Sequence, residues 1–572
     1  MRPVVRGTQH AVTAMKPEAA FAADRILLAG GNAFDAAVAG QAVLGLVDAA
    51  NNGVGSDAEV LVWDSRTREV ISINAGGTAP ALATIEWYKK NKAGKLPVNE
   101  GLLAATVPGV VDAWYLLLDR WGTMSFAQVL APAIEMAEKG FPLNESLARA
   151  IAGSRKLKKF PSSKAVYYPN GRSLKAGELF RNPDLARTLK RLVEAEREAA
   201  PQGRKAALKA ARDRFYKGDI AREMAAFSEK TDGLFRYPDF ESYAAKFEKP
   251  VSTTYRGYDV YKNASATQGP AELFALNLLE GFELKKMGHN SAAYIHTSVE
   301  AVKLAFADRD KYLGDADRIE IPFAGLLSKD YARERRKLID PNQASLELRP
   351  GVPERFMSGQ QVLERPLDYT LSGKSDHEGD TSYINVVDSA GNVVSFEPSL
   401  HTGFGTGVVM GGLGFSFNCR GDYFSLVPGN ANALAPGKRP RSTLQSTLVL
   451  KDGRPFLVTG SPGGDDQIMR TMQTLLNIVD FGMNVQQAIE APRWTTEGFP
   501  GSTFPHVMRP GDLGVEDRIT VRVREALKAK GHKVRVNRPW SLGYNGAIVI
   551  DQRTGVLSAG ADPRVDAYAV AR

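Results

Sequence analysis

The sequence predicts a mixed α+β fold, and three observations carry that reading. Residues 110–240 look mainly helical, with breaks at Pro142, Pro161, Pro169 and Pro183. Near the start, 59–64 (Glu-Val-Leu-Val-Trp-Asp) and 69–73 (Glu-Val-Ile-Ser-Ile) read as two strands joined by a polar turn. At 382 a strand–turn–strand pattern begins abruptly, after a stretch in which Pro, Gly, Ser and charged residues replace any period.

Taken in order, residues 16–30 carry apolar positions at helical spacing and stop at Gly30-Gly31, a helix terminator. Residues 33–49 read as a buried helix rich in Ala and Val. Two further helices are expected at 270–285 and 291–311. The segment 340–380 reads as a linker or exposed loop. It ends in Ser372-Gly-Lys-Ser-Asp-His-Glu-Gly-Asp380. Then 382–388 is a strand, 389–392 a turn and 393–397 the return strand. Strands and turns dominate to about residue 460, and a helix covers 465–480. No repeat is visible, and low-complexity sequence is confined to 190–215.

Composition excludes several classes. With 572 residues there is ample chain for a large core, about two to four domains' worth. Hydrophobic residues at 43% and charged residues at 24% exclude a disordered or collagen-like chain. No apolar run reaches the length of a membrane span. The one cysteine, Cys419, excludes an internal disulfide and a thiolate-rich metal site. It reads as a small residue near a packed strand rather than a nucleophile. The net charge is +9, and 151–220 alone carries 18 Lys and Arg against 7 Asp and Glu. That basic segment reads as solvated helix faces. No aromatic residues interleave with the charges as nucleotide stacking requires, so no nucleic-acid partner is expected. Residues 1–8 show no apolar h-region and no cleavage site. The chain as written is therefore expected in the cytoplasm, or in the periplasm or outside the cell if a signal has been trimmed.

The chemistry narrows by elimination. The histidines are scattered, at His10, His289, His296, His377, His401, His506 and His532. No H-E-x-x-H or zinc-like Cys/His spacing occurs. His289 and His296, seven apart, would share one helix face, a packing pattern more than a ligand set. No metal and no cofactor are expected. There is no phosphate-binding G-x-x-x-x-G-K-[ST] and no G-x-S-x-G elbow. Gly403-Phe-Gly405-Thr-Gly407 does not open a helix as a dinucleotide loop must. What remains is Thr381, at a strand start after a hydrophilic loop. A hydroxyl needs a base. If the Asp380–Thr381 bond were cut, the new α-amine, with an ordinary pKa of about 7.7–8.0, would stand on the same residue. Ser461-Pro-Gly-Gly464 before a helix offers two unhindered backbone N–H groups, a prospective oxyanion hole. Both features are also commonplace structural ones.

Several segments together resemble the gamma-glutamyltranspeptidases. Gly379-Asp-Thr-Ser-Tyr-Ile-Asn-Val-Val-Asp388, followed by Gly391-Asn-Val-Val-Ser395, is similar to the family's autocleavage and nucleophile segment. Gly403-Phe-Gly-Thr-Gly407, Leu457-Val-Thr-Gly-Ser-Pro-Gly-Gly464 and Asn484-Val-Gln-Gln-Ala-Ile-Glu-Ala-Pro-Arg493 match as well. So do Leu28-Ala-Gly-Gly-Asn-Ala-Phe-Asp-Ala-Ala-Val38, Tyr255-Arg-Gly-Tyr258, Leu278-Leu-Glu-Gly-Phe282, Lys303-Leu-Ala-Phe-Ala-Asp-Arg-Asp310 and Gly560-Ala-Asp-Pro-Arg564. The motifs stand in order over nearly the whole chain.

The resemblance implies a four-layer αββα sandwich of the N-terminal-nucleophile hydrolase type. It implies a proenzyme that cuts itself into a large subunit, 1–380, with the basic segment 151–220 and the linker 340–380, and a small subunit, 381–572. The two pieces would form one composite unit, a heterodimer of the chain's own products, with a higher oligomer left open. Thr381 would be both self-cleaving group and catalytic nucleophile, Asp380–Thr381 the scissile bond, and Gly463 and Gly464 the oxyanion hole. Ser399 falls where the family has a threonine supporting the nucleophile. Ser442 and Thr443 match its paired hydroxyls near the substrate. Three departures stand out. Gly76-Gly-Thr-Ala-Pro80 lacks the arginine that grips an α-carboxylate, and His401 replaces an asparagine. Arg420 and Tyr423 occupy the places of the acids that hold an α-amino group. A guanidinium repels an ammonium and offers donors to a carboxylate, so Arg420 is expected to bind a substrate carboxylate unless an internal acid, Asp422 or another, claims it. The expected function is a self-processing amidohydrolase or acyltransferase acting on a small amide. The alternatives are an acylase for glutaryl- or oxamate-like groups without an α-amino group, or an inactive scaffold binding an acidic partner.

Overall fold

The computed structural model describes residues 2–373 and 379–572. Its centre is two seven-stranded antiparallel sheets. One runs, in spatial order, Val5–Gly7, Leu557–Ala561, Gly546–Ile550, Arg454–Gly460, Thr447–Lys451, Tyr258–Lys262, Val251–Tyr255. The other runs Tyr568–Ala571, Ala11–Ala14, Ile384–Val387, Val393–Ser399, Asp57–Asp64, Glu69–Ala75, Lys246–Glu248.

Strand periodicity builds the packing. In Asp57–Asp64, Ala58, Val60 and Val62 face a cluster formed with helices such as Pro17–Leu28, Ala33–Val47 and Val110–Arg120, while Leu61 and Trp63 face the second sheet. On the second sheet Leu448, Leu450, Val458 and Ile548 meet them. Val449, Leu457 and Ala547 turn the other way, onto Pro270–Leu279, Ala292–Tyr312 and Gln467–Val479. The central strands Asp57–Asp64, Ile384–Val387 and Val393–Ser399 are buried on both faces, while edge strands such as Lys246–Glu248 and Tyr568–Ala571 are partly exposed.

The space between the sheets changes character along its length. At one end it holds Trp63, Val387 and Val393. Continuing with the same parity on the same strands, it holds Asp57, Glu59, Ser395, Glu397 and Ser399, all buried. Polar groups at inward positions of a core cost free energy unless they are partnered, which makes that end the place to look for chemistry.

Most expected elements are present, with shifts that have causes. Pro161 and Pro183 begin helices (Pro161–Tyr167, Pro183–Ala199) instead of ending them, because a proline costs nothing at the first helical position. His289 precedes the helix Ala292–Tyr312, so it does not share a face with His296. His296 bonds His532 at 2.8 Å and the Asp340 carbonyl at 2.7 Å. The segment 340–373 has a 3-10 turn, Pro353–Phe356, and a single bridge from Thr370 to Val507, yet it is no loose spacer. Glu354 is buried and accepts from Leu363 N at 3.0 Å, and Arg365 donates to the Tyr312 carbonyl at 3.2 Å. The remainder of the expected loop, 374–378 with His377, lies outside the described residues. The basic stretch is threaded with acids: Arg172 pairs with Glu178, Arg191 with Asp219 and Glu223, and buried Arg212 with Asp112. Among the described residues no helix is long and apolar enough to cross a membrane.

Candidate active site

The register of one hairpin positions Thr381. Ile384–Val387 pairs with Val393–Ser399. The chain ahead of it stays alongside: Ser382 N donates to the Pro398 carbonyl at 3.0 Å and Asp380 N to the His401 carbonyl at 2.5 Å. His401 turns the chain at φ 82°, a left-handed conformation that His, like Asn, tolerates better than most side chains. Buried Ser399 thereby comes between the Asp380 carbonyl and the Thr381 hydroxyl. Its Oγ donates to the Asp380 carbonyl oxygen at 2.5 Å, and it accepts from Thr381 Oγ1 at 3.2 Å and from His401 N at 2.8 Å. One hydroxyl therefore polarises the carbonyl of the 380–381 bond and touches the adjacent threonine hydroxyl.

The glycine turn arrives from the other sheet. Arg454–Gly460 ends, Ser461 N donates to Glu397 Oε1 at 3.0 Å, and Gly463 (φ 101°) and Gly464 (φ 55°) bend the chain into Gln467–Val479. Only glycine takes up two such successive conformations at low cost. Gly379 passes so close that a Cβ there would lie 2.9 Å from Gly464 N, so the turn abuts the chain entering Thr381. Gln467 ties the parts together. In the amide orientation that suits its neighbours, its nitrogen donates to the Thr443 carbonyl at 3.0 Å and to Glu397 Oε2 at 3.2 Å. The opposite amide atom, then the oxygen, sits 3.3 Å from Thr381 Oγ1. Burial pushes the Glu397 carboxyl up to about 8, against the hydrogen bonds from Gln445 N and Ser461 N. A cavity of about 190 Å3 opens beside Thr381, lined by Asn51, Asp380, Gly463, Arg470 and Tyr544 among others.

None of the expected substrate-binding residues lines this cavity. Arg420 is buried and held by an internal acid, Asp57, through Nε–Oδ2 at 3.1 Å and Nη2–Oδ1 at 3.3 Å. Its Nη1 donates to Tyr423 Oη at 3.1 Å and Thr443 Oγ1 at 3.2 Å. The expectation of a guanidinium open to a substrate carboxylate is thus corrected: Asp57 stands directly across the sheet from Ser399 and claims it. His401 packs edge-on against Tyr423, with ring centroids 4.2 Å apart. Its Nδ1 is 3.2 Å from Asp422 Oδ1. Ser442 N donates to the carbonyl of Ala266 in a neighbouring segment at 2.6 Å, and its Oγ accepts from Leu444 N at 3.1 Å. Arg420, Tyr423, Thr443 and His401 thus form one network behind Ser399, and Ser442 serves the backbone.

His401, Cys419 and Asp422 do bring one potential metal ligand each to one spot, as do His296, Glu300 and His532. Neither trio suits a cation. Arg420 and Lys156 stand beside His401, so that spot already faces two cationic side chains. Lys303 already pairs with Glu300. The sequence reading missed Asp57, Glu397, Gln467 and Arg470. Only Glu397 left a signal: the one charged residue of the strand Val393–Ser399, two residues before Ser399 and therefore on the same face.

Comparison with known proteins gives a consistent result. The family model described as gamma-glutamyltranspeptidase matches residues 19–571. The glutathione hydrolase proenzyme of Escherichia coli (strain K12) is 34% identical over 98% of this chain and 91% of its own length. The acylase ACY 1 proenzyme of Pseudomonas sp. (strain SE83) is 32% identical over 99% of this chain and 94% of its own. The crystal structure of a cephalosporin acylase from Bacillus halodurans superimposes with a TM-score of 0.87 at 32% identity, covering 100% of this chain and 97% of that one. With the family model matched over residues 19–571 and relatives above 30% identity over almost the whole chain, the chain belongs to the gamma-glutamyltranspeptidase family.

Proposed function

We propose that the chain is a self-processing amidohydrolase with Thr381 as nucleophile, built as a four-layer αββα sandwich of the N-terminal-nucleophile hydrolase type. One observation carries the reading. Ser399 Oγ is bonded to the Asp380 carbonyl at 2.5 Å and stands 3.2 Å from Thr381 Oγ1, so electrophile and nucleophile of an N-to-O acyl shift meet at one hydroxyl. Thr381 Oγ1 attacks the Asp380 carbonyl carbon. The C–N bond breaks, the nitrogen takes up the proton that Oγ1 gives up and becomes an amine, and an ester joins the two residues. Water hydrolyses that ester, leaving a carboxylate on Asp380 and a free α-amine on Thr381. In turnover the amine takes the Oγ1 proton as Thr381 attacks a substrate amide. The Gly463 and Gly464 amides hold the developing oxyanion, the leaving amine departs with a proton, and water or another amine resolves the acyl-threonine. The products 1–380 and 381–572 remain together as a heterodimer.

The relatives' names span glutathione hydrolase and acylase. The resemblance favours the second: where the family holds an α-ammonium with acids this chain has Arg420 and Tyr423, and Arg420 is bound to Asp57 behind Ser399, so neither supplies an anion to a substrate α-ammonium. We therefore read the acyl group as one without an α-amino group. A panel of chromogenic anilides tests this. Glutaryl-p-nitroanilide and other acyl anilides without an amino group are expected to be cleaved faster than γ-glutamyl-p-nitroanilide. A clear preference for the γ-glutamyl compound would overturn the substrate reading.

A further inference from the structure

We propose that Arg470 is a positioning residue for the oxyanion hole, locking the glycine turn with both amides aimed at the acyl oxygen. The proposal rests on the reading of Gly463 and Gly464 given above. Arg470 stands in the first turns of the helix Gln467–Val479. Its Nη1 donates to the Pro462 carbonyl and, at 3.4 Å, to the Gly463 carbonyl. In a trans peptide the C=O of one residue and the N–H of the next point in opposite directions. Two successive carbonyls turned onto one guanidinium therefore turn the Gly463 and Gly464 N–H groups to the opposite side together. That side abuts the nucleophile segment, since a Cβ on Gly379 would lie 2.9 Å from Gly464 N. Successive N–H groups on one side of a turn make an anion-binding concavity.

A lock is needed because the glycines that open the turn also free it. Without Cβ atoms, peptides around Gly463 can rotate and present a carbonyl oxygen to the oxyanion instead of an N–H. Arg470 is itself fixed. Its Nη2 donates to Asp466 Oδ2 at 3.2 Å, and Asp466 Oδ1 accepts from Thr495 Oγ1 at 2.6 Å. The guanidinium lies between two glycines: a Cβ on Gly463 would come within 2.5 Å of Nη1, and one on Gly543 within 1.9 Å of Nε. It has one place to be, and that place dictates the turn.

Self-cleavage gives a control, because the Asp380 carbonyl is held by Ser399 and not by the turn. The experiment takes processed wild type, Arg470→Lys and Arg470→Ala and measures acylation by p-nitrophenyl acetate and turnover of glutaryl-p-nitroanilide. Arg470→Ala is expected to self-cleave and keep its circular dichroism while kcat falls about a hundredfold, the order of losing one oxyanion donor, with KM within about threefold. Arg470→Lys, which retains a cation but not the fork, should fall between. Added guanidinium ion should restore kcat of Arg470→Ala saturably. A raised KM at unchanged kcat would overturn the proposal in favour of substrate binding, and loss of self-cleavage and turnover together, without rescue, in favour of a structural role. Processed wild type inert to both probes would overturn the acyl-transfer reading beneath it.

Discussion

Arg420 shows how far a side chain's identity can mislead about its use. Its charge and place in a recognisable segment suggested a carboxylate-binding role, but its partner, Asp57, is 363 positions away in sequence and becomes a neighbour only when Asp57–Asp64 pairs with Val393–Ser399. Removing one member of a buried pair strands the other, at about 3–5 kcal/mol. Arg420→Met should therefore lower the unfolding free energy by that order, and Asp57→Asn added to it should recover part. Urea denaturation of the three proteins decides. A loss under about 1 kcal/mol, with a collapse of kcat/KM on acidic acyl anilides, would return Arg420 to the substrate. Glu397 makes a second prediction at this scale. Its carboxyl is raised by burial to about 8 from an ordinary 4.5, so the folded state binds its proton more tightly than the unfolded chain. The corresponding stability is fully present below about pH 4.5 and is lost as pH rises through about 8. Glu397→Gln cannot titrate, and its amide must meet backbone donors that now face a carboxyl oxygen, so its Tm should start lower. The gap to wild type should then narrow from pH 5 to 8.5. Parallel Tm–pH curves would show that Glu397 carries no such linkage.

At the scale of elements the sequence was most readable where local rules decide. The helix 33–49, the strands near 59 and 69 and the hairpin after 382 follow from periodicity and turn residues, and the structure has them within a few residues. Positions of chemistry were readable only where they carried a local signature: a threonine opening a strand, two glycines before a helix. What escaped was set by packing between elements. Gln467 bridges Thr381 to Glu397 because helix Gln467–Val479 starts against the polar end of the inter-sheet space, and no local pattern encodes that approach. The glycine turn supplies the prediction here. Gly464 sits at φ 55° against Gly379, so Gly464→Val strains the backbone and crowds the approach to Thr381. Turnover should drop by about 10²–10³ while self-cleavage persists, since the Asp380 carbonyl is held from Ser399. Near-normal turnover on an anilide would place the oxyanion hole elsewhere.

Across the whole molecule, the bond at 380–381 divides the sequence but not the architecture. Ala11–Ala14 lies between Tyr568–Ala571 and Ile384–Val387, and Val5–Gly7 and Tyr258–Lys262 flank four strands from beyond residue 381. Both would-be fragments thus contribute to both sheets, and neither owns a complete core. Cutting the chain should release a terminus without releasing a domain. The central claim, that this molecule cuts itself at Thr381, is tested most directly by intact-mass spectrometry of purified wild type and Thr381→Ala, under native and then denaturing conditions. Wild type should travel as one particle under native conditions and resolve on denaturation into two chains whose masses fit 1–380 and 381–572, with threonine at the new N-terminus, while Thr381→Ala remains a single chain. Cleavage of Thr381→Ala at the same bond, or an uncut wild type that turns over an anilide, would contradict the account.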